Sequence, residues 1–226
     1  MSRRGAILEE MGLAPVWRLR KGSAPAEDRE TVILKMGWDE LKRVVPACTA
    51  CPLHATRTQT VFGVGDERAD WLLVGEAPGA EEDRLGEPFV GQAGKLLDNM
   101  LAALGLARGE NVYIANVLKC RPPGNRNPEP AEVARCTPFL QRQIALIEPR
   151  LIVALGRFAA QTLLGTDATI ASLRGRLHRY AGVPLVVTYH PAYLLRNLPD
   201  KAKAWSDLVF ARRAMQDLQT GSAVPK

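Results

Sequence analysis

The sequence predicts an α/β fold, a three-layer α/β/α sandwich around a central, mostly parallel four-stranded sheet. Two observations carry that prediction. From about residue 37, short β-rich apolar runs alternate with segments of helical period, and such alternation is built by right-handed crossovers onto a parallel sheet. The chain also has 226 residues, 46% of them hydrophobic and 24% charged, enough for one compact domain with a sizeable core.

Residues 1–36 are expected to be a flexible basic arm, with Arg3, Arg4, Arg18, Arg20 and Lys21 set against Glu9 and Glu10 and a turn-rich stretch at residues 22–25. Val16-Trp17 in this arm reads as part of a solvated tail, with docking on a partner or on nucleic acid as the alternative. Residues 37–218 form the expected domain, and 219–226 a tail. Candidate strands are 71–75, 111–118, 151–155 and 184–189, each a short apolar run bounded by turn residues. Between the first two, residues 93–106 place Leu96, Leu97, Met100, Leu101 and Leu104 on one face, the spacing of a core-facing helix. Further helices are expected at 130–148, 157–164 and 201–218.

Lys+Arg is 30 against Asp+Glu 24, a formal net charge of +6, which favours a polyanionic partner without requiring one. No apolar run approaches the roughly 20 residues that span a bilayer, and the start MSRRGAILEE does not resemble a signal peptide. The chain therefore reads as cytoplasmic, with no membrane partner, and as a monomer for want of a further apolar stripe. Four cysteines, Cys48, Cys51, Cys120 and Cys136, are too few for a disulfide scaffold of this length. Four thiolates can hold tetrahedral zinc or an iron–sulfur cluster, and the spacing does not choose between them. Either would tie the segment before the first strand to the loop after the second.

Parallel sheets bind ligands beyond the carboxyl ends of their strands. There the sequence places Gly75-Glu76-Ala77-Pro78-Gly79, then Asn116, Gly156 and His190-Pro191. The glycine loop lacks the spacing of a dinucleotide fingerprint or a P-loop, but lets backbone approach a flat ligand closely. Glu76 and Glu82 are candidate acids or bases, and Phe89 is a ring for stacking on a base. Asn116 can accept from a uracil N3–H while donating to O4, whereas cytosine presents the reverse pattern. His190 can donate to a leaving base oxygen, and Leu194-Leu195-Arg196 can wedge into a duplex at an extruded nucleotide. The stiff basic loop from Arg121 through Arg126 to Pro128 suits a phosphate backbone.

These motifs, Gly75–Gly79, Glu87-Pro88-Phe89-Val90-Gly91, Asn116 through Pro123, the four cysteines and His190 through Arg196, closely resemble the family 4 uracil-DNA glycosylases from about residue 37 to 217. The resemblance implies excision of uracil from single- or double-stranded DNA by hydrolysis of the N-glycosidic bond, and a [4Fe-4S] cluster on Cys48, Cys51, Cys120 and Cys136. Carried over by position, Gly75, Glu76 and Ala77 contact uracil through backbone, Phe89 stacks on it, Asn116 reads its pairing edge and His190 bonds O2. Ala77 stands where the classical enzymes of the superfamily carry a water-positioning aspartate, so Glu82, or else Glu76, is expected to hold the water. Glu82 is favoured, with crowding of a thymine methyl as its alternative role. A related branch that traps uracil-DNA covalently takes its nucleophile from a histidine in a basic insert, and residues 121–130 here contain no His. Turnover is therefore expected over a trapping module, and a redox DNA-binding role for the cluster is the third reading.

Overall fold

A computed structural model describes residues 3–12 and 28–220. Val16, Trp17, Arg18, Arg20 and Lys21 of the expected basic arm lie outside the described residues. In chain order the helices and strands begin with α1 (Arg3–Glu10), α2 (Arg29–Lys35), α3 (Trp38–Val44), β1 (Val64–Gly65) and β2 (Trp71–Gly75). Next come α4 (Ala80–Leu85), α5 (Gln92–Ala103), β3 (Val112–Asn116), α6 (Pro130–Ile147), β4 (Leu151–Leu155) and α7 (Arg157–Leu164). The chain continues through α8 (Ile170–Leu173), β5 (His178–Tyr180), β6 (Val183–Thr188), α9 (Pro191–Arg196) and α10 (Asp200–Thr220).

The sheet has the order β1-β3-β2-β4-β6-β5. Its four central strands are parallel, as expected, with Gly75 level with Asn116 across β2 and β3. The expectation of four strands is corrected to six by β1 and β5, which pair antiparallel at the two edges. Both are too short and too exposed to show an alternating pattern, with two and three residues respectively.

Burial on both faces makes β2, β3 and β4 continuous apolar runs, and successive side chains divide between two cores. Leu72, Val74, Tyr113, Ala115, Ile152 and Ala154 meet Leu140 and Ile144 of α6 and Ala159 and Leu163 of α7. Trp71, Leu73, Val112, Ile114 and Val153 meet Leu97 and Leu101 of α5 and Ala211 and Met215 of α10. These are the three predicted layers. A third cluster packs Ile33, Leu41, Val45 and Leu53 onto Leu118, Cys120, Cys136 and Phe139. Because α2 buries Ile33 there and lies on α6, the packed structure starts before residue 37, the expected boundary of the arm. Among the described residues no helix is long and apolar enough to cross a membrane.

Candidate functional site

A cleft of about 740 Å³ opens at the carboxyl ends of the parallel strands. Each of these strands contributes a lining residue at or near its carboxyl end: Glu76 after β2, Asn116 at the end of β3, Arg157 after β4 and His190 after β6. The glycine loop, carboxamide and imidazole therefore do converge.

At the floor, Asn116 is 2% exposed, and its Oδ1 is buried with no hydrogen-bond partner. A buried acceptor without a partner is costly unless a ligand supplies the donor. Gly75 makes this floor possible, because a Cβ there would collide with Asn116 Oδ1 and lie 2.7 Å from Phe89 Cζ. Phe89 has the left-handed φ of 56°, rare for a bulky residue, and its ring stacks at 5.4 Å and 29° on the imidazole of His190. Glu82 holds that loop. Its Oε1 accepts from the N–H groups of Val90 at 3.1 Å and Gly91 at 3.3 Å.

His190 is half-buried, and its Nδ1 accepts from the N–H of Ala192 at 3.1 Å. In the neutral ring this leaves the proton on Nε2. Burial, reinforced by the Arg196 charge and opposed by Glu82, pulls its pKa down to about 4. The ring is therefore a neutral donor over the ordinary pH range. Gly156, at φ 96°, makes room for it, since a Cβ would lie 2.8 Å from His190 Cβ. At the end of β6, Asp207 takes Thr188 Oγ1–H at 2.9 Å and a two-pronged contact from Arg174 at 2.6 and 2.9 Å, while Arg174 stacks over Tyr189 at 4.6 Å. Glu76 is half-buried, and burial raises its carboxyl pKa against the opposing charge of Arg157.

The four cysteines line one small apolar cavity beside β3. Among the described residues no group of three His, Cys, Asp or Glu side chains converges as the ligands of a single metal ion. The sulfurs do receive hydrogen-bond donors: Arg57 to Cys120 at 3.1 Å, Arg29 to Cys48 at 3.5 Å and the N–H of Lys119 to Cys136 at 3.3 Å. Burial pushes the Cys136 thiol up to about 12 and the half-buried Cys51 and buried Cys120 in the same direction. Thiolates here need a compensating cation in the cavity.

The family model described as the Uracil DNA glycosylase superfamily matches residues 62–209. The chain is 49% identical to a type-4 uracil-DNA glycosylase of Archaeoglobus fulgidus over 70% of its length and 82% of that relative. It is also 49% identical to the Thermotoga maritima protein of that name, over 68% of this chain and 80% of the relative. With the Pyrobaculum aerophilum one it shares 43% identity, over 77% and 93%. The chain belongs to the uracil-DNA glycosylase superfamily, in its type-4 branch.

In this type-4 member, Gly75, Glu76, Ala77, Phe89, Asn116 and His190 come together as the motifs suggest, and Glu82 joins them through the Phe89 loop. The expected DNA-contacting residues divide. Leu194 is 1% exposed and packs with Tyr189 and Ala204, so it anchors α9 in the core, whereas Leu195 is 41% exposed beside the exposed Arg196. Arg126 lines the cleft, but its guanidinium is held by Glu132 at 2.6 and 2.9 Å, and Arg121 is bonded to Asn125 at 2.8 Å. Arg157, Tyr193 and Lys119 were not singled out from sequence. The first comes directly after a strand and its glycine, where the crevice rule could have found it, and Leu198, 60% exposed at the turn into α10, carries no motif.

Proposed function

We propose that this chain excises uracil from DNA by hydrolysing its N-glycosidic bond, leaving an abasic site. The observation that carries this reading is the buried, unpartnered Oδ1 of Asn116 at the floor of a cleft walled by Phe89 and the neutral His190. A base inside a duplex cannot reach such a floor, so the nucleotide is flipped out. Asn116 Oδ1 accepts from uracil N3–H and its amide donates to O4. Cytosine leaves both unsatisfied, a penalty that rejects it. Phe89 stacks on the ring, and the loop of Gly75, Glu76 and Ala77 lies along its edge.

As the N1–C1′ bond breaks, its electron pair moves into the uracil ring and onto O2. The Nε2–H of His190 stabilises that charge without giving up its proton. Water adds to C1′ and passes its proton to a carboxylate. The Oε1 of Glu82 grips two backbone amides of the Phe89 loop and leaves its Oε2 for the water, with the half-buried Glu76 as the second carboxylate at the cleft. Leu195 and Arg196 meet the DNA beside the cleft, with Arg121 and Arg126 stiffening the facing loop.

We further assign a [4Fe-4S] cluster to Cys48, Cys51, Cys120 and Cys136, whose all-thiol donor set and N–H donors to sulfur suit one. When bound it supplies a cross-link and local negative charge, and no step of base excision.

The deciding experiment uses end-labelled oligonucleotides with a single uracil, thymine or hypoxanthine, followed by alkali. Multiple-turnover breakage at uracil alone is expected. A denaturation-resistant shifted band would mean a covalent trap instead, and neither outcome would return attention to the cysteines.

A further inference from the structure

Lys119 has no part in the chemistry above, yet it is buried at 1% exposure. An apolar side chain of the same length would fill its place at lower desolvation cost, so its polar contacts are the reason to look further. Its main-chain N–H donates to Cys136 Sγ at 3.3 Å, and its Nζ donates to the main-chain oxygen of Asn116 at 3.0 Å. One residue thus touches the four-thiol site at one end and the last residue of β3 at the other. The carboxamide of Asn116 needs such support. Its Oδ1 has no protein partner, so only packing against Gly75 and the course of the main chain hold it at the floor of the cleft.

We propose that Lys119 is the positioning residue that aims the Asn116 carboxamide, and that through it the cysteine site sets uracil recognition. The proposal rests on the reading of Asn116 given above. It makes the cysteines more than a distant staple: a shift of the backbone around Cys120 and Cys136 moves the Nζ that holds the floor of the cleft.

The test is a double-mutant cycle in the full chain. Single-turnover excision of uracil is measured for the wild type, Lys119→Met, Asn116→Ala and the double variant, together with binding to uracil-free duplex and the visible absorbance of the cysteine site. Lys119→Met is expected to slow excision about 10²-fold, the scale of a small misplacement of a positioned group. Its absorbance and its affinity for uracil-free DNA stay at wild-type values. With Asn116 already Ala, the further loss is less than about threefold, because contacting residues acting through one another do not add. Lys119→Gln, which keeps an N–H donor, recovers roughly tenfold over Met, the part of the loss owed to one hydrogen bond.

Additive losses, or wild-type excision by Lys119→Met, overturn the proposal. If the Met and Gln variants both lose the absorbance, Lys119 serves the cysteine site alone and the proposal is overturned as well. If only Met loses it, the cycle is read with Gln. A wild-type chain that does not excise uracil sinks the reading of the cleft instead.

Discussion

His190 shows how a single residue's surroundings set its chemistry. A histidine in water changes charge near 6.5, but here burial comes first among the causes that bring it to about 4. The ring donates from Nε2 while neutral, so His190 should add no inflection near pH 6.5; the fall on the acid side should come from protonation of the water-holding carboxylate and, near pH 4, of the ring itself. Stability changes in the same direction. The unfolded chain takes up a proton below about 6.5 that the folded chain refuses, so this contribution is present above that pH and is lost as pH falls toward 4. A single-turnover rate profile with an inflection at 6.5 would rule out the neutral donor. Removing the donor, His190→Ala, should cost about 10²–10³-fold in rate. Gly75 sits at the other extreme, contributing only by having no side chain. Gly75→Ala drives a methyl into Asn116 Oδ1 and toward the ring of Phe89, so uracil excision should be lost, and the melting temperature should fall with the roughly 1–3 kcal/mol that overpacking a buried site costs. Retained activity would mean that the floor can shift to accept it. Neither consequence was legible in sequence, where His190 and Gly75 could be placed at strand ends but not beside Phe89. That contact depends on a left-handed Phe89 and on Glu82 gripping the next two amides along the chain.

At the scale of elements, the legible parts were those whose burial repeats along the chain. The strand expected at 151–155 and the helix at 157–164 coincide with β4 and α7, since an apolar run marks the strand and a glycine stands on each side of the helix. The edge strands were not legible, because a two-residue pairing of β1 and the exposed Arg179 of β5 carry no periodicity. The last three residues of α9, Leu194-Leu195-Arg196, were read as a wedge, but a helix of six residues must bury something to hold its place. It buries Leu194, packed with Tyr189 and Ala204, and turns Leu195 outward. The two adjacent leucines therefore have different fates on truncation. Leu194→Ala should destabilise the fold by about 2–5 kcal/mol, the cost of a buried Leu-to-Ala change. Leu195→Ala should leave the melting temperature unchanged and selectively reduce excision from duplex relative to single-stranded DNA, where no stacked base has to be displaced. Thermal melts and parallel rate measurements on the two substrates check both, and equal effects on stability would overturn the division.

For the whole molecule, the decisive relation is between the sandwich and the segment from residue 28 to 58. That segment meets the rest through an apolar cluster, Ile33, Leu41, Val45 and Leu53 against Leu118 and Phe139, and through Trp38, whose ring lies 5.7 Å from that of Tyr113 and 6.0 Å from that of Phe62. Polar contacts reinforce it, with Arg57 bonded to Cys120, Arg29 to Arg135 O and Arg142 to Met36 O, while Arg57 also ties Cys48 and Pro46 together within the segment. Cys48 and Cys51 belong to this segment, whereas Cys120 and Cys136 belong to the sandwich. A cluster on all four closes a long loop, and such cross-links typically contribute about 2–4 kcal/mol where a disulfide is the link. The sheet does not depend on it, since each core on its faces is complete without these cysteines. Cys48→Ser should therefore bleach the protein's visible absorbance and open the segment to trypsin at Lys42, Arg43 and Arg57, while a resistant fragment containing β2 to α10 survives. Excision should fall with the absorbance, because the segment adjoins Cys120, four residues beyond Asn116. A bleached variant that resists trypsin as the wild type does would show that apolar packing alone holds the segment, and that the cysteines are kept for something other than the fold.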